Sequence, residues 1–295
     1  SQAAAAVGSP QLREQGTIGG NLCQRPRCWY FRGDFTCARK GGDTCYAVEG
    51  ENQYHAILGG GPCFYVHPSD TAVALSALQA VLTIAGPAGN RRVRIGDFFV
   101  DPAKDVLKEN ILRPNELLMA VTLPPAPAGA RGAYRKIRAR AVWDFASTSV
   151  AAVLRIENGT VASARLVLGG VGPFPWRVEG AEKAVIGRKI DATVAAAAGQ
   201  AATKGASPMR DNEYKIDMVR GAVEETLLSL VCAGGRPSRR RSAARLRVVA
   251  HAPGRGPARA RPGRRRWHLG AAEGHPLRRP ARPAHRRARA APGSA

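Results

Sequence analysis

Three features of the chain predict an α+β fold. Two apolar, β-branched runs, residues 147–156 and 161–168, flank Asn158-Gly159, a strong signal for a tight hairpin. Three helical patterns follow that hairpin at 178–186, 191–204 and 214–230 rather than alternating with strands, which points to an antiparallel sheet backed by helices. Earlier in the chain, one helical pattern after His67 leads into strand-like stretches with no room for a repeated crossover unit.

The elements can be justified in order. Residues 1–15 read as the end of a helix and a turn, and Gly16–Leu22 (GTIGGNL) as a glycine-rich loop. Residues 23–63 have little periodicity and read as one long irregular loop, a feature that is usually functional inside a folded domain. Ser69 is placed to cap a helix carrying Ala72, Ala74, Leu75, Leu78 and Val81 at helical spacing. Strands are expected at Ala80–Ala85, Arg92–Ile95 and Leu117–Leu123, the last stopped by Pro124-Pro125. The proline- and glycine-rich stretch 125–132 reads as a linker between a first domain, 1–124, and a second, 133–232.

Composition separates the last segment from the rest. The 295 residues carry a formal net charge of +23, but residues 233–295 hold 18 Arg, no Lys and a single acid, Glu273. The preceding 232 residues are only mildly basic, with 27 Lys+Arg against 21 Asp+Glu. Arg, Ala, Pro and Gly make up most of the terminal segment. A stretch so poor in apolar side chains and so self-repelling is expected to be a disordered tail. It resembles a G/C-rich gene read out of frame, with a basic nucleic-acid-binding arm as the alternative. For the body no nucleic-acid partner is expected. No run of about 18 apolar residues occurs, so no membrane-spanning helix is expected. The amino terminus has no basic start followed by an apolar core.

Two groups of residues suggest chemistry. In Thr17-Ile18-Gly19-Gly20-Asn21 the paired glycines let the backbone approach a ligand, and successive N–H groups suit an anion such as a pyrophosphate. A ligand-free tight turn accounts for the same residues, and the glycine spacing fits neither a dinucleotide fingerprint nor a P-loop. Cys23, Cys28, Cys37, Cys45 and Cys63 fall within 41 residues. Without a CxxC pair the spacing argues weakly for a metal. Their density argues more strongly, because four thiolates closing on a metal would replace the apolar burial that this loop lacks. Zinc, disulfides and free thiols stay open on this reasoning. His55 and His67 are the only histidines of the body, so no nucleophile–His–Asp arrangement can be built and no catalytic residue is assigned; His67 is expected to orient the turn at Pro68.

SPQLREQGTIGGNL, HPSDTAVAL, NELLMAVTLPP, the Tyr134-Arg135-Lys136 stretch and NEYKIDMVRGAV occur in this order over residues 5–230. They resemble the flavin-binding subunit of the molybdenum hydroxylases, the xanthine dehydrogenase family. The resemblance implies an FAD-binding domain, the second subdomain of that flavin fold, followed by a smaller α+β domain of antiparallel sheet and helices. It implies FAD contacts from Thr17, Ile18, Gly19, Gly20 and Asn21, from Asp70 toward the nucleotide, and from Leu118 and Lys136, with Arg135 as an alternative basic group. It also implies that an earlier glycine-rich motif of the FAD cradle precedes the first residue here, so that the chain is a truncated form.

The loop 23–63 resembles an insertion of the periplasmic aldehyde oxidoreductase type. This implies a [4Fe–4S] cluster on Cys28, Cys37, Cys45 and Cys63, with Cys23 a buried spare thiol. The implied partners are a large subunit with the molybdenum cofactor and a small [2Fe–2S] subunit. Their electrons would pass through FAD to an external acceptor. The expected compartment is the periplasm through a partner's export signal, or the cytoplasm. A zinc-clipped interaction domain without flavin is the remaining alternative.

Overall fold

Two antiparallel sheets organise the protein in a computed structural model that describes residues 2–232. The expectations placed on the arginine-rich segment, disorder and nucleic-acid binding alike, lie outside the described residues. The larger sheet has the order β4-β5-β6-β7, built from Ala130–Ile137, Thr148–Glu157, Thr160–Gly169 and Trp176–Arg177. Its central hairpin turns at Asn158 and Gly159, whose φ values of 50° and 79° are the left-handed pair that a two-residue hairpin requires. The helices α6 (Glu179–Val185), α7 (Ala192–Ala202) and α8 (Lys215–Cys232) pack on one face. Val150, Ala152 and Leu154 of β5 point that way, into a core with Leu166, Leu168, Ala198, Val223 and Leu227.

The opposite face of the same hairpin is also covered. Ala151 and Val167 meet Val73 and Ala77 of α5, Asp70–Ala77. Covering on both faces explains why β5 begins with an unbroken buried run, residues 148–152, instead of alternating. Helix α5 turns its other side to the smaller sheet, β2-β1-β3, made of Gly89–Arg94, Val81–Gly86 and Leu117–Thr122. There Ala72 packs with Leu22, Leu82, Ile84, Phe98, Leu118 and Val121. One short helix thus joins two cores, and this fixes the place of its first residue, Asp70.

Several sequence expectations need correction. The segment 16–22 is not an open loop: Ile18–Leu22 forms a helical turn, α3, because Thr17 caps it and Leu22 anchors it in the core. Residues 2–15 hold two short helices, α1 (Gln2–Ala5) and α2 (Pro10–Gln15), rather than one helix end. Helix α5 stops at Ala77, so Leu78 and Val81 do not belong to it; Gln79 takes a φ of 54° and Val81 opens β1. The second strand begins earlier, at Gly89, and the linker is shorter because β4 starts at Ala130. Cys23 is half-buried at the end of α3 rather than buried. The irregular loop contains two helical turns, α4, Trp29–Arg32, and a 3-10 turn at Ala38–Lys40.

The loop 23–63 is tied to the second half of the chain by polar groups. Lys215, fully buried at the start of α8, donates to the carbonyls of Tyr54, His55 and Gly170 at 3.0, 3.0 and 2.8 Å. Asn212 Nδ2 donates to the carbonyls of Asn52 and His55 at 3.2 and 3.3 Å. Gly59, Gly60 and Gly61, all at positive φ, carry the loop past Trp176 and Phe64 with no room for side chains at the first two.

Candidate functional site

The turn Thr17–Asn21 presents an exposed edge. Thr17 Oγ1 accepts from the Gly20 amide at 3.0 Å, while the amides of Ile18 and Gly19 have no acceptor among the described residues. Gly20 is exposed, and a side chain there would meet only Thr17 Oγ1 within 4 Å. Gly19 lies over the backbone of Leu118, whose side chain is core rather than surface. Asn21 fastens the turn to α5: its Oδ1 accepts from Ser69 Oγ at 2.7 Å and from the Thr71 hydroxyl. Two free amides beside a residue without a side chain suit an anionic ligand such as the diphosphate of FAD.

Asp70 and Lys136, 66 residues apart, form a buried pair. Lys136 Nζ lies 2.7 Å from Asp70 Oδ2, and the two side chains are 4% and 6% exposed. Tyr134 donates to Asp70 Oδ1 at 2.7 Å, and Lys136 also donates to the Ala6 carbonyl at 3.1 Å. Burial pushes the Asp70 carboxyl above its ordinary range, against the pull of Lys136 and Tyr134. Arg135 points away, to Glu225 on α8.

His67 orients the adjoining turn, with Nδ1 accepting from the Ser69 amide at 3.3 Å. Burial pulls its imidazole down from 6.5 to about 4. Between those values the unfolded chain binds the extra proton, so stability falls as pH falls through that window. The loss is about 3 kcal/mol at most. Urea midpoints measured near neutral pH and near pH 4.5 should show this loss, and His67→Gln should remove only the His67 share, because burial also pulls His55 down to about 4.

The four cysteines Cys28, Cys37, Cys45 and Cys63 line one small cavity together with Tyr30, Phe31 and Arg39. All are free thiols. Cys45 and Cys63 face each other; the proton donated by Cys63 pulls Cys45 down to about 6 and pushes Cys63 up. Burial pushes Cys28 up. Arg39 is 3% exposed, and its Nη1 bonds Glu109 at 3.0 Å, while its Nε and Nη2 have no partner. A buried cation with two idle donors beside four thiols is the complement of an anionic cluster. Among the described residues no three His, Cys, Asp or Glu side chains form a group that could hold one metal ion. The four thiols nevertheless line one common cavity. Tyr30, Phe35 and Tyr46 pack against one another around this loop, with ring centroids 5.0–6.0 Å apart.

A second cavity, of about 320 Å³, lies between the cysteine loop, the start of α5 and the segment 139–149. Cys28, His55, Asp70, Trp29 and Phe145 are among its walls, and Arg27 stacks over the Phe145 ring at 5.3 Å. Cys28 is the one expected cluster ligand that lines both cavities. Arg39, Tyr134 and His55 were not legible as site residues. Nothing local marks them, since their partners lie 70, 64 and 27 residues away.

Comparison with known proteins gives two family matches. Residues 1–126 match the FAD binding domain in molybdopterin dehydrogenase, and residues 132–230 match the CO dehydrogenase flavoprotein C-terminal domain. The chain is 44% identical over 186 residues to the aldehyde oxidoreductase FAD-binding subunit PaoB of Escherichia coli K12, spanning 62% of this chain and 57% of that one. It is 26% identical over 231 residues to the carbon monoxide dehydrogenase medium chain of Hydrogenophaga pseudoflava, spanning 77% of this chain and 64% of that one. A solved carbon monoxide dehydrogenase from the same organism superposes with a TM-score of 0.58 at 25% identity, covering 78% of this chain and 66% of the other. Less than two thirds of each of these relatives is therefore represented here.

Proposed function

Because residues 1–230 belong to the family of FAD-binding medium subunits of the molybdenum hydroxylases, we propose that the chain is the flavin-binding electron-transfer subunit of a heteromeric oxidoreductase of the aldehyde oxidoreductase type. In this reading the substrate is oxidised in a large subunit holding the molybdenum cofactor, and a small [2Fe–2S] subunit relays electrons here. The observation that carries it is the match of residues 1–126 to an FAD-binding domain. The Ile18 and Gly19 amides, which have no acceptor among the described residues, support it. Bound there, FAD supplies the exchange between one-electron and two-electron carriers.

The chain's own residues place and shield that group. Thr17 caps the turn through the Gly20 amide, the Ile18 and Gly19 amides would donate to the diphosphate, and Gly20 would leave room for it. Asn21 ties the turn to α5, and through α5 to the Asp70–Lys136 pair, which sets the polarity beside the nucleotide. Leu118 supports the turn from below. Cys28, Cys37, Cys45 and Cys63 would hold a [4Fe–4S] cluster that clips the loop 23–63, with Arg39 beside it to balance its charge.

Titrating the full chain with FAD and following flavin fluorescence tests the first part. Saturable quenching is expected. Gly20→Val should weaken binding tenfold or more, about 1.4 kcal/mol, with only a small change in melting temperature, because position 20 is exposed and a side chain there presses on Thr17 Oγ1 alone. Equal affinity in the variant would remove the turn from the flavin site.

A further inference from the structure

We infer that His55 is a positioning residue for the cluster, donating the hydrogen of Nε2 to the Cys28 sulfur and thereby favouring the reduced state. This rests on the cluster reading above. His55 Nε2 lies 3.2 Å from Cys28 Sγ, and the residue is 4% exposed. A thiolate that ligates iron has no proton of its own, so the hydrogen in this contact belongs to the imidazole. The tautomer is then fixed, and Nδ1 is left without a partner.

The ring is held in place from several sides. Its carbonyl accepts from Lys215 Nζ at 3.0 Å and from Asn212 Nδ2 at 3.3 Å, so the second half of the chain clamps its backbone. Its amide donates to the Asn52 carbonyl at 2.9 Å. Trp29 and Tyr30 flank the ring with centroids at 6.3 and 6.2 Å. A side chain restrained in this way delivers its bond in one geometry.

The contact is also selective. Among the described residues, Cys28 is the one cysteine that the His55 ring contacts at hydrogen-bond distance. Cys28, which His55 bonds, is the thiol shared by the cluster cavity and the larger cavity lined by Asp70. A hydrogen bond to a ligating sulfur stabilises the more negative, reduced state and raises the potential. His55 therefore acts on the thiol that faces the Asp70 cavity.

The test uses the full chain loaded anaerobically with iron and sulfide, and an EPR-monitored redox titration. His55→Leu should keep its iron and shift the midpoint potential negative. His55→Gln, which retains an N–H donor, should recover part of the shift. An unchanged midpoint in an iron-loaded His55→Leu chain would overturn the role. Should that variant fail to fold or to load, the native chain with ¹⁵N-labelled histidine decides. A nitrogen hyperfine coupling to the reduced cluster supports the bond, and its absence overturns it. Failure of the native chain to take up iron would instead overturn the cluster reading, and this inference with it.

Discussion

Cys37→Ser is expected to abolish cluster incorporation. Native chain expressed anaerobically should hold about four iron and four acid-labile sulfide, and the variant less than one of each. Cys37 is the cleanest position because it is 6% exposed and lines only the small cavity. A serine oxygen is a harder and less acidic ligand than a thiol, so it holds iron poorly in a sulfur-bridged cluster. The effect should extend beyond the metal. The buried Ile57 and Leu58 of the loop 23–63 belong to the core of the second half, and Arg39 would be left with two idle buried donors. Faster proteolysis within residues 23–63 should therefore accompany the loss of iron. Cys23→Ser is the control: Cys23 ends α3 and packs at the edge of the first core, away from the cavity, so iron should be unchanged. Zinc without sulfide in the native chain would turn the loop into a structural clip without a redox centre.

Asp70→Asn is expected to be the most damaging single change outside the cysteines. It leaves the Lys136 ammonium, 4% exposed, without its counter-charge, a loss of about 3–5 kcal/mol. For a domain of this size that is on the order of 10 °C in melting temperature. Lys136→Met should cost a similar amount, by leaving the carboxylate with Tyr134 alone. The double variant should recover much of the loss, because neither charge is then stranded. A thermodynamic cycle over the four proteins measures the coupling, and additivity would show that the pair does not act as a unit. The same set tests the flavin reading. Asp70 was expected to face the nucleotide and Lys136 to contact FAD, and the structure joins them to each other. If FAD affinity falls in the double variant, whose fold is largely restored, the pair acts on the ligand as well as on the fold.

What sequence determined by itself were the features set by neighbouring residues. The Asn158-Gly159 turn follows from two residues that tolerate a left-handed backbone. The cap at Ser69 follows from a hydroxyl in reach of the Ala72 amide at 3.0 Å. The helices of the second half follow from apolar spacing, and the family resemblance from motifs that hold a fixed order. Tertiary structure alone decided the rest. The turn at 17–21 became helical because Leu22 enters the core, and Val81 left the helix because β1 pairs with both β2 and β3. Asp70 with Lys136, Arg39 with Glu109, and His55 with Cys28 are partnerships across 66, 70 and 27 residues. Charge pairing and desolvation act through space, and a buried group's partner depends on which elements the two cores bring together. Those residues therefore acquire their chemistry only when α5 and α8 dock against the strands and the cysteine loop.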